Sequence, residues 1–137
     1  MDNTKIAIFK GKEIRKTIHN NEWWFSVIDI VEVLTGTERP RKYWGDLKKK
    51  LAKEGYSEVS EKIGQLKLQA PDGKLRLTDC ANTETLFRII QTIPSPKAEP
   101  FKRWLARENL EKETGQRIST RENYLAGNAN QKLLGNG

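Results

Sequence analysis

Seven basic side chains are concentrated between residues 39 and 53, where Asp46 is the single acidic residue. Guanidinium and ammonium groups bind phosphate oxygens through charge-assisted hydrogen bonds, so such a run is typical of proteins that contact a nucleic-acid backbone. The whole chain has a formal net charge of +7, and this local excess of six accounts for nearly all of it. A solvated helix face is the alternative, although solubility needs no such concentration of one sign. The seven residues are Arg39, Arg41, Lys42, Lys48, Lys49, Lys50 and Lys53.

A second group of cations, Lys67, Lys74 and Arg76, lies in the segment QLKLQAPDGKLRLTD. Leucines alternate with polar residues on both sides of a Pro-Asp-Gly sequence, which predicts a β-hairpin. We expect the leucines to face the core and the three cations to lie together on the outer face. Like charges side by side repel, so this face either contacts phosphate or is an ordinary solvated surface.

Residue types that carry out catalysis or bind metals are sparse. The chain has one cysteine, Cys80, and one histidine, His19, far apart in sequence. They can form neither an internal disulfide nor a zinc site by themselves. No Gly-rich phosphate loop or nucleophile elbow is present, and the acidic residues show no pairing suited to acid–base chemistry. We therefore expect a protein that is not an enzyme and uses no metal or cofactor.

Two consecutive helices are predicted to position the basic run. The first has an apolar stripe at i, i+3, i+4 and i+7, a start signal in Ser26 and Asp29, and a stop signal in Gly36. The second should begin near Pro40 and end at Gly55. Its packing face is formed by Tyr43, Trp44, Leu47 and Leu51, with the cations distributed over the rest of the circumference.

The sequence of the N-terminal region predicts three short strands, KIAIF, EIRKTI and EWWFS. Asn20-Asn21 fits a tight turn with positive φ. Strand side chains alternate, so Trp23 and Phe25 point to one face and Trp24 to the other. Trp24 could then be a core or interface residue, or it could be exposed and stack on a base.

Two further helices follow the hairpin. The apolar stripe of the first ends near residue 93, and that of the second ends near residue 105. The expected fold is α+β, with a small N-terminal antiparallel sheet, a second β-hairpin and about four or five helices around one core. We expect a domain at 1–113 and a mobile C-terminal tail at 114–137, which is rich in Asn and Gly.

Composition also limits the compartment. The pI near 9.6 favours polyanionic partners. The segment MDNTKIAIFKGK has no apolar core long enough for a signal peptide, and no later run approaches the length of a membrane span. We expect a cytoplasmic protein without a membrane partner.

With these motifs in hand, the chain resembles the N-terminal domain of the BRO family (Bro-N), found in baculoviral BRO proteins, phage antirepressors and bacterial proteins described as DNA-damage-inducible. The resemblance covers about residues 5–105 and rests on WFSVIDIVEVL, KYWGDLKKKL, PDGKLRLTD and IPSPKAEPFKRWL in that order. It implies an α+β DNA-binding domain with a regulatory role, often encoded by prophages. It supplies no defined set of base-reading residues.

Similar bacterial proteins continue after FKRWLA with a long helical region, whereas here LEKETGQRISTRENYL follows almost at once. We expect the DNA-binding part with a remnant tail, which would bind DNA without the full regulatory output. The expected partners are DNA and, for an antirepressor, a repressor protein. A protein-interaction module that captures a repressor through the Trp24 side of the sheet is the alternative function. A homodimer would suit a regulator, but no heptad pattern supports one.

Overall fold

The computed structural model describes residues 3–114 of the chain. Within them lie five strands and five helices, so the predicted α+β class is confirmed. The strands are β1 (Lys5–Phe9), β2 (Lys12–His19), β3 (Glu22–Ser26), β4 (Gly64–Gln69) and β5 (Leu75–Asn82). The helices are α1 (Val27–Thr35), α2 (Pro40–Lys53), α3 (Ser57–Glu61), α4 (Thr83–Gln91) and α5 (Ala98–Thr114).

All five strands form one antiparallel sheet in the order β1-β2-β3-β5-β4. The predicted N-terminal meander is confirmed, and Asn20 and Asn21 have the positive φ values, 52° and 64°, that their turn requires. The meander and the hairpin were predicted as separate elements. They are joined because β3 pairs with the end of β5, with Phe25 opposite Ala81.

One face of this sheet carries the main core. Phe9 on β1 packs edge-to-face on Phe101 and Trp104 of α5, with ring centroids 4.9 and 5.6 Å apart. Phe25 on β3 is fully buried in the same cluster, together with the apolar stripes of α1 and α4. Edge-to-face packing of large aromatic rings adds to the free energy gained from their burial.

The helix boundaries follow the predicted capping residues. The Ser26 hydroxyl accepts from the Asp29 amide at 3.4 Å, and Gly36 ends α1 in the left-handed conformation at φ 72°. Pro40 occupies the first turn of α2. The buried residues of α2 are Trp44, Leu47 and Leu51, as the apolar stripe predicted. α1 and α2 are therefore consecutive helices with one short connection.

Arg15 on β2 fixes the start of α1. Its guanidinium donates to both Asp29 carboxylate oxygens, each at 2.8 Å, and its backbone amide donates to the same carboxylate at 2.9 Å. The hydrogen bond with Asp29 is the main reason that the pKa of Arg15 lies above its ordinary value. The same side chain donates to the Gln69 carbonyl at 3.2 Å. One arginine thus connects β2, α1 and β4.

The hairpin forms where it was predicted, but the expected arrangement of its faces is wrong. Leu68 is fully buried, whereas Leu75 and Leu77 are 42% and 59% exposed. Directly paired residues share a face, and the register places Lys67 opposite Leu77 and Leu68 opposite Arg76. Lys67 and Arg76 therefore lie on opposite faces, and Lys67, Lys74 and Arg76 do not form one cationic face.

The cause of this difference is the length of the loop. The Ala70 amide donates to the Lys74 carbonyl and the Gly73 amide to the Ala70 carbonyl, both at 2.8 Å, which leaves three residues in the loop. Gly73 adopts φ 85°, the left-handed position of a three-residue hairpin loop. The four leucines could share one face only if the loop had an even number of residues. Adding or removing one loop residue moves every side chain of the second strand to the opposite face of the hairpin.

The chain divides into two units, and the boundary between them lies between Leu105 and Ala106. In the second unit the description stops at the end of α5. The predicted tail at 114–137 lies almost entirely outside the described residues, so its mobility and the boundary at 113 stay predictions. No helix in the described range is long and apolar enough to cross a membrane.

Candidate nucleic-acid interface

A groove of about 270 Å³ lies between α2 and the β4–β5 hairpin. Four residues of α2 line it at helical spacing i, i+3, i+4 and i+7: Arg41, Trp44, Gly45 and Lys48. Gln65, Leu77, Thr78 and Asp79 line it from the hairpin, and Ile28 from α1. Residues from two distant parts of the sequence thus form one concave surface, which we call the α2–hairpin groove.

Asp79 holds the two walls of this groove together. Its Oδ2 accepts from the Trp44 indole at 2.8 Å and from the Lys48 ammonium at 2.9 Å, and its Oδ1 accepts from the Gln65 amide at 3.3 Å. Burial opposes ionisation of this carboxyl group, but the hydrogen bonds from Trp44, Lys48 and Gln65 outweigh it. The pKa of Asp79 therefore lies below its ordinary value.

Two of the seven predicted cations on α2 have carboxylate partners. Lys48 pairs with Asp79, and Lys42 pairs with Asp46 at 3.1 Å on the exposed side of the helix. The other five are Arg39, Arg41, Lys49, Lys50 and Lys53. All five are exposed, and none forms an ion pair with a residue in the described part of the chain. Their charges are therefore available to an external anion.

The cations of α2 do not all lie on one side. Arg41 and Lys48 line the α2–hairpin groove. Lys50 lines a separate hollow of about 320 Å³ with Tyr43, Thr92 and Pro94 among its neighbours. A rigid ligand in the groove would therefore reach Arg41 more readily than Lys50.

The three predicted hairpin cations also separate. Lys67 is exposed and is the cross-strand partner of Leu77, which lines the groove, so Lys67 extends the groove surface. Arg76 lies on the reverse face and pairs with Asp72 at 2.5 Å. Lys74 is exposed beside the loop. Of these three, Lys67 is the one that the structure brings to the same surface as Arg41.

Gly45 and Asp79 contribute to the groove and were missed as site residues in the sequence. A Cβ added at Gly45 would meet nothing within 4 Å, and its φ is not positive. Neither packing nor backbone conformation therefore requires glycine here, although glycine weakens a helix interior. An isolated glycine inside a strong helical pattern was the available signal. Its effect is that no side chain fills the groove wall between Arg41 and Lys48.

The tryptophans of β3 are less exposed than the alternative function assumed. Trp23 and Trp24 are both partly buried. The Trp24 ring lies edge-to-face on His19 with centroids 5.2 Å apart, and it packs so closely on Gly64 that a Cβ added there would lie 3.0 Å from the ring. The Lys16 ammonium lies 4.0 Å from the Trp23 ring centroid. Both rings are thus used in contacts within the sheet region.

Cys80 lies outside the groove lining. Cys80 is fully buried, and burial raises the pKa of its thiol to about 12, so it stays protonated at neutral pH. Within residues 3–114, no three His, Cys, Asp or Glu side chains come together in a way that could hold a metal ion. The groove is lined by two cations, by the Asp79 carboxylate that pairs with Lys48, and by amide and apolar groups, so the charge of Arg41, unpaired among the described residues, is the one that can attract an anion.

Comparison with known proteins gives one family. The model of the BRO family N-terminal domain matches residues 13–111, which include α1, α2, the hairpin and α4. This domain is associated with antirepressor-like DNA-binding regulators of phages. No curated protein and no solved structure matches the chain. Since the family model covers well over half of the sequence, the chain belongs to the BRO family through its N-terminal domain.

Proposed function

We propose that this protein is a DNA-binding regulator of the prophage antirepressor type, acting in the cytoplasm without catalysis, and that it binds DNA in the α2–hairpin groove. One observation carries the proposal. Arg41 and Lys48 of α2 line the groove, and Lys67 of the hairpin is the cross-strand partner of Leu77 on its opposite wall. The association of the BRO family N-terminal domain with regulators supports the same hypothesis of DNA binding.

Phosphate contacts would supply most of the affinity. Each cation that neutralises a phosphate releases condensed counterions, so binding weakens as salt increases. Arg41 is free of carboxylate partners among the described residues, whereas Lys48 is held by Asp79. Gly45 places no side chain between the two cations, so a phosphate can approach the surface of α2 more closely there. Lys49 and Lys53, further around α2, would meet neighbouring phosphates.

Repressor capture through the Trp24 side of the sheet receives less support. An interface anchor gains its binding energy by burying exposed apolar surface. The Trp24 ring already packs at Gly64 and His19, which leaves less of it to bury. We therefore place DNA binding first and treat a repressor as a second partner still to be tested.

The test compares two α2 cations that differ in position. Affinity for random-sequence duplex DNA is measured over a salt series for the wild type, Arg41→Ala and Lys50→Ala. For Arg41→Ala we expect the slope of log affinity against log salt to become shallower by about 0.9, the value for one lost phosphate contact. Lys50→Ala removes the same charge from the other side of the helix and should leave the slope almost unchanged.

The outcomes separate the two parts of the proposal. Equal effects of the two substitutions would mean that DNA does not lie in the groove. Absence of binding by the wild type at low salt would overturn DNA binding itself, and repressor capture would become the leading function.

A further inference from the structure

Four exposed side chains form a block on the face of the β4–β5 hairpin that also carries Asp79 and the contact with α2. Lys67 is paired with Leu77 and Gln69 with Leu75, and the Leu68–Arg76 pair lies between them on the ladder. Alternate residues of a strand point to the same side, so all four share one face. All four are exposed, Leu77 to 59%. This base-facing block, as we call it, continues the α2–hairpin groove, which Leu77 also lines.

The hairpin that carries this block is held firmly from behind. Leu68 on its reverse face is fully buried. The Gln69 amide donates to the Thr4 hydroxyl at 3.0 Å, and the Gln69 carbonyl accepts from Arg15 at 3.2 Å. The backbone of Gln69 is thus fixed while its side chain remains exposed. A surface arranged before binding loses less conformational entropy when a ligand binds.

We propose that the base-facing block reads base edges in the major groove of duplex DNA. This inference rests on the proposed function, because it concerns the same groove. The major groove admits a two-stranded β-ribbon. There, lysine can donate to guanine O6 and N7, glutamine can pair with adenine N6 and N7, and apolar side chains contact the thymine methyl group. The block supplies all three types of contact.

The spacing of the block also suits stacked bases. Residues two apart on a strand, such as Lys67 and Gln69, are separated by about 6.8 Å. Successive bases of one DNA strand are about 3.4 Å apart, so the two side chains would contact bases two steps apart. Arg41 and Lys48 on the other wall of the groove would meanwhile contact the flanking phosphates. Phosphate contacts fix the register in which base contacts specify sequence.

The charge around the leucines favours DNA over an apolar protein partner. Leu75 and Leu77 are exposed apolar residues, and cations lie near them on β4 and on α2. Lys67 is the cross-strand partner of Leu77, and Arg41 lines the groove together with Leu77, whereas Arg76 lies on the reverse face. An apolar site for a protein would bury these charges beside it at a cost, whereas DNA phosphates neutralise them.

The experiment first selects preferred sites from random duplex DNA with the full-length wild type. The specificity ratio, which is affinity for the selected site over affinity for random duplex, is then measured for Lys67→Ala, Gln69→Ala and Leu77→Ala. We expect each substitution to lower the ratio by about five- to 100-fold, the range for one lost base contact. Ile18→Ala is the matched control, since Ile18 is an exposed apolar residue on β2 and should leave the ratio unchanged.

A second measurement identifies the DNA groove that the protein contacts and the base atoms that it recognises. Replacing thymine by uracil in the selected site removes the major-groove methyl group, and this should weaken binding by the wild type but not by Leu77→Ala. Retained binding of Leu77→Ala to random duplex, with an unchanged melting temperature, would show that the variant is folded.

Three outcomes would overturn the inference while leaving the proposed function intact. In the first, the wild type binds DNA in a salt-dependent way but selects no preferred sequence. In the second, Lys67→Ala and Leu77→Ala recognise the selected site as well as the wild type does. In the third, a ligand of the minor groove displaces the protein from DNA. The inference would also be wrong if Leu77→Ala bound DNA as the wild type does but no longer bound a repressor protein. Absence of salt-dependent DNA binding by the wild type would instead overturn the proposed function.

Discussion

Asp79 accepts hydrogen bonds from three donors, two on α2 and one on β4. Its side chain is only 14% exposed, and its ionised form is compensated by the Lys48 ammonium at 2.9 Å. A carboxylate in this position is worth more than a surface ion pair, because its hydrogen bonds replace water that it has already lost. At the residue scale, Asp79 therefore determines how firmly α2 is attached to the hairpin.

The first prediction compares Asp79→Asn with Asp46→Asn. Both substitutions remove one carboxylate that pairs with a lysine of α2, but the Lys42–Asp46 pair is exposed on both sides. We expect Asp79→Asn to lower the free energy of unfolding by about 1 to 3 kcal/mol, the value of hydrogen bonds to a charged group. Asp46→Asn should change it by less than about 0.5 kcal/mol. Urea denaturation measures both, and equal losses would contradict the role given to Asp79.

The second prediction concerns the pH dependence of the same group. The pKa of Asp79 is lower in the folded protein than in the unfolded chain, so its ionisation stabilises the fold above the unfolded pKa of about 3.9. That stabilisation is lost as the pH falls from near 4 through the folded pKa. The difference in unfolding free energy between wild type and Asp79→Asn should therefore be largest at neutral pH and shrink in acid. A difference that stays constant from pH 7 to pH 3 would exclude this assignment.

At the element scale, the hairpin shows what an alternating pattern can and cannot predict. Its two strands and its turn were predictable from leucines that alternate around Pro-Asp-Gly. The faces were not, because they depend on whether the loop has an odd or even number of residues. The three-residue loop with Gly73 in the left-handed conformation buries Leu68 and exposes Leu75 and Leu77. This register places Leu77 and Lys67, rather than Arg76, beside α2.

The third prediction tests the loop with a pair of glycine substitutions. Gly73→Ala places a Cβ at φ 85°, which should lower the free energy of unfolding by about 1 to 2 kcal/mol. Gly45→Ala is the control inside α2, where φ is not positive and the space is open. It should raise stability by up to about 1 kcal/mol through helix propensity. Thermal melting followed by circular dichroism distinguishes the two, and a stabilising Gly73→Ala would contradict the left-handed loop.

The fourth prediction separates stability from function at Gly45. A Cβ at Gly45 meets nothing within 4 Å, and leucine favours the helix, so Gly45→Leu should keep the fold at least as stable as the wild type. It would project between Arg41 and Lys48 and hold a phosphate away from the backbone of α2. We expect DNA affinity to decrease by about tenfold, whereas Gly45→Ala should have a smaller effect. Normal DNA binding by a well-folded Gly45→Leu protein would argue against DNA in the groove.

At the scale of the whole molecule, the contacts that assemble the site are those between distant residues. Local patterns predicted α1, α2, the meander and the hairpin, with Ser26, Gly36 and Pro40 in their expected positions. They could not predict that β3 pairs with β5, since strand pairing across so many residues leaves no local signature. Asp29 was explained by its capping position, and its ion pair with Arg15 was missed for the same reason. The groove exists only because these long-range contacts bring α2 and the hairpin together.

The distribution of charge over the molecule leads to the last prediction. The segment from Arg39 to Lys53 holds an excess of six positive charges out of a net +7, so the position of charge should matter more than its total. The double variant Arg41→Glu, Lys49→Glu and the double variant Lys5→Glu, Lys12→Glu have the same net charge, and all four wild-type residues are exposed. We expect the first to reduce affinity for random duplex DNA at least tenfold and to make the salt slope shallower by about two units. The second, altered on β1 and β2, should retain most of the affinity and nearly the wild-type slope. If the two variants lost affinity equally, attraction by net charge would explain DNA binding, and no defined surface on α2 would be needed.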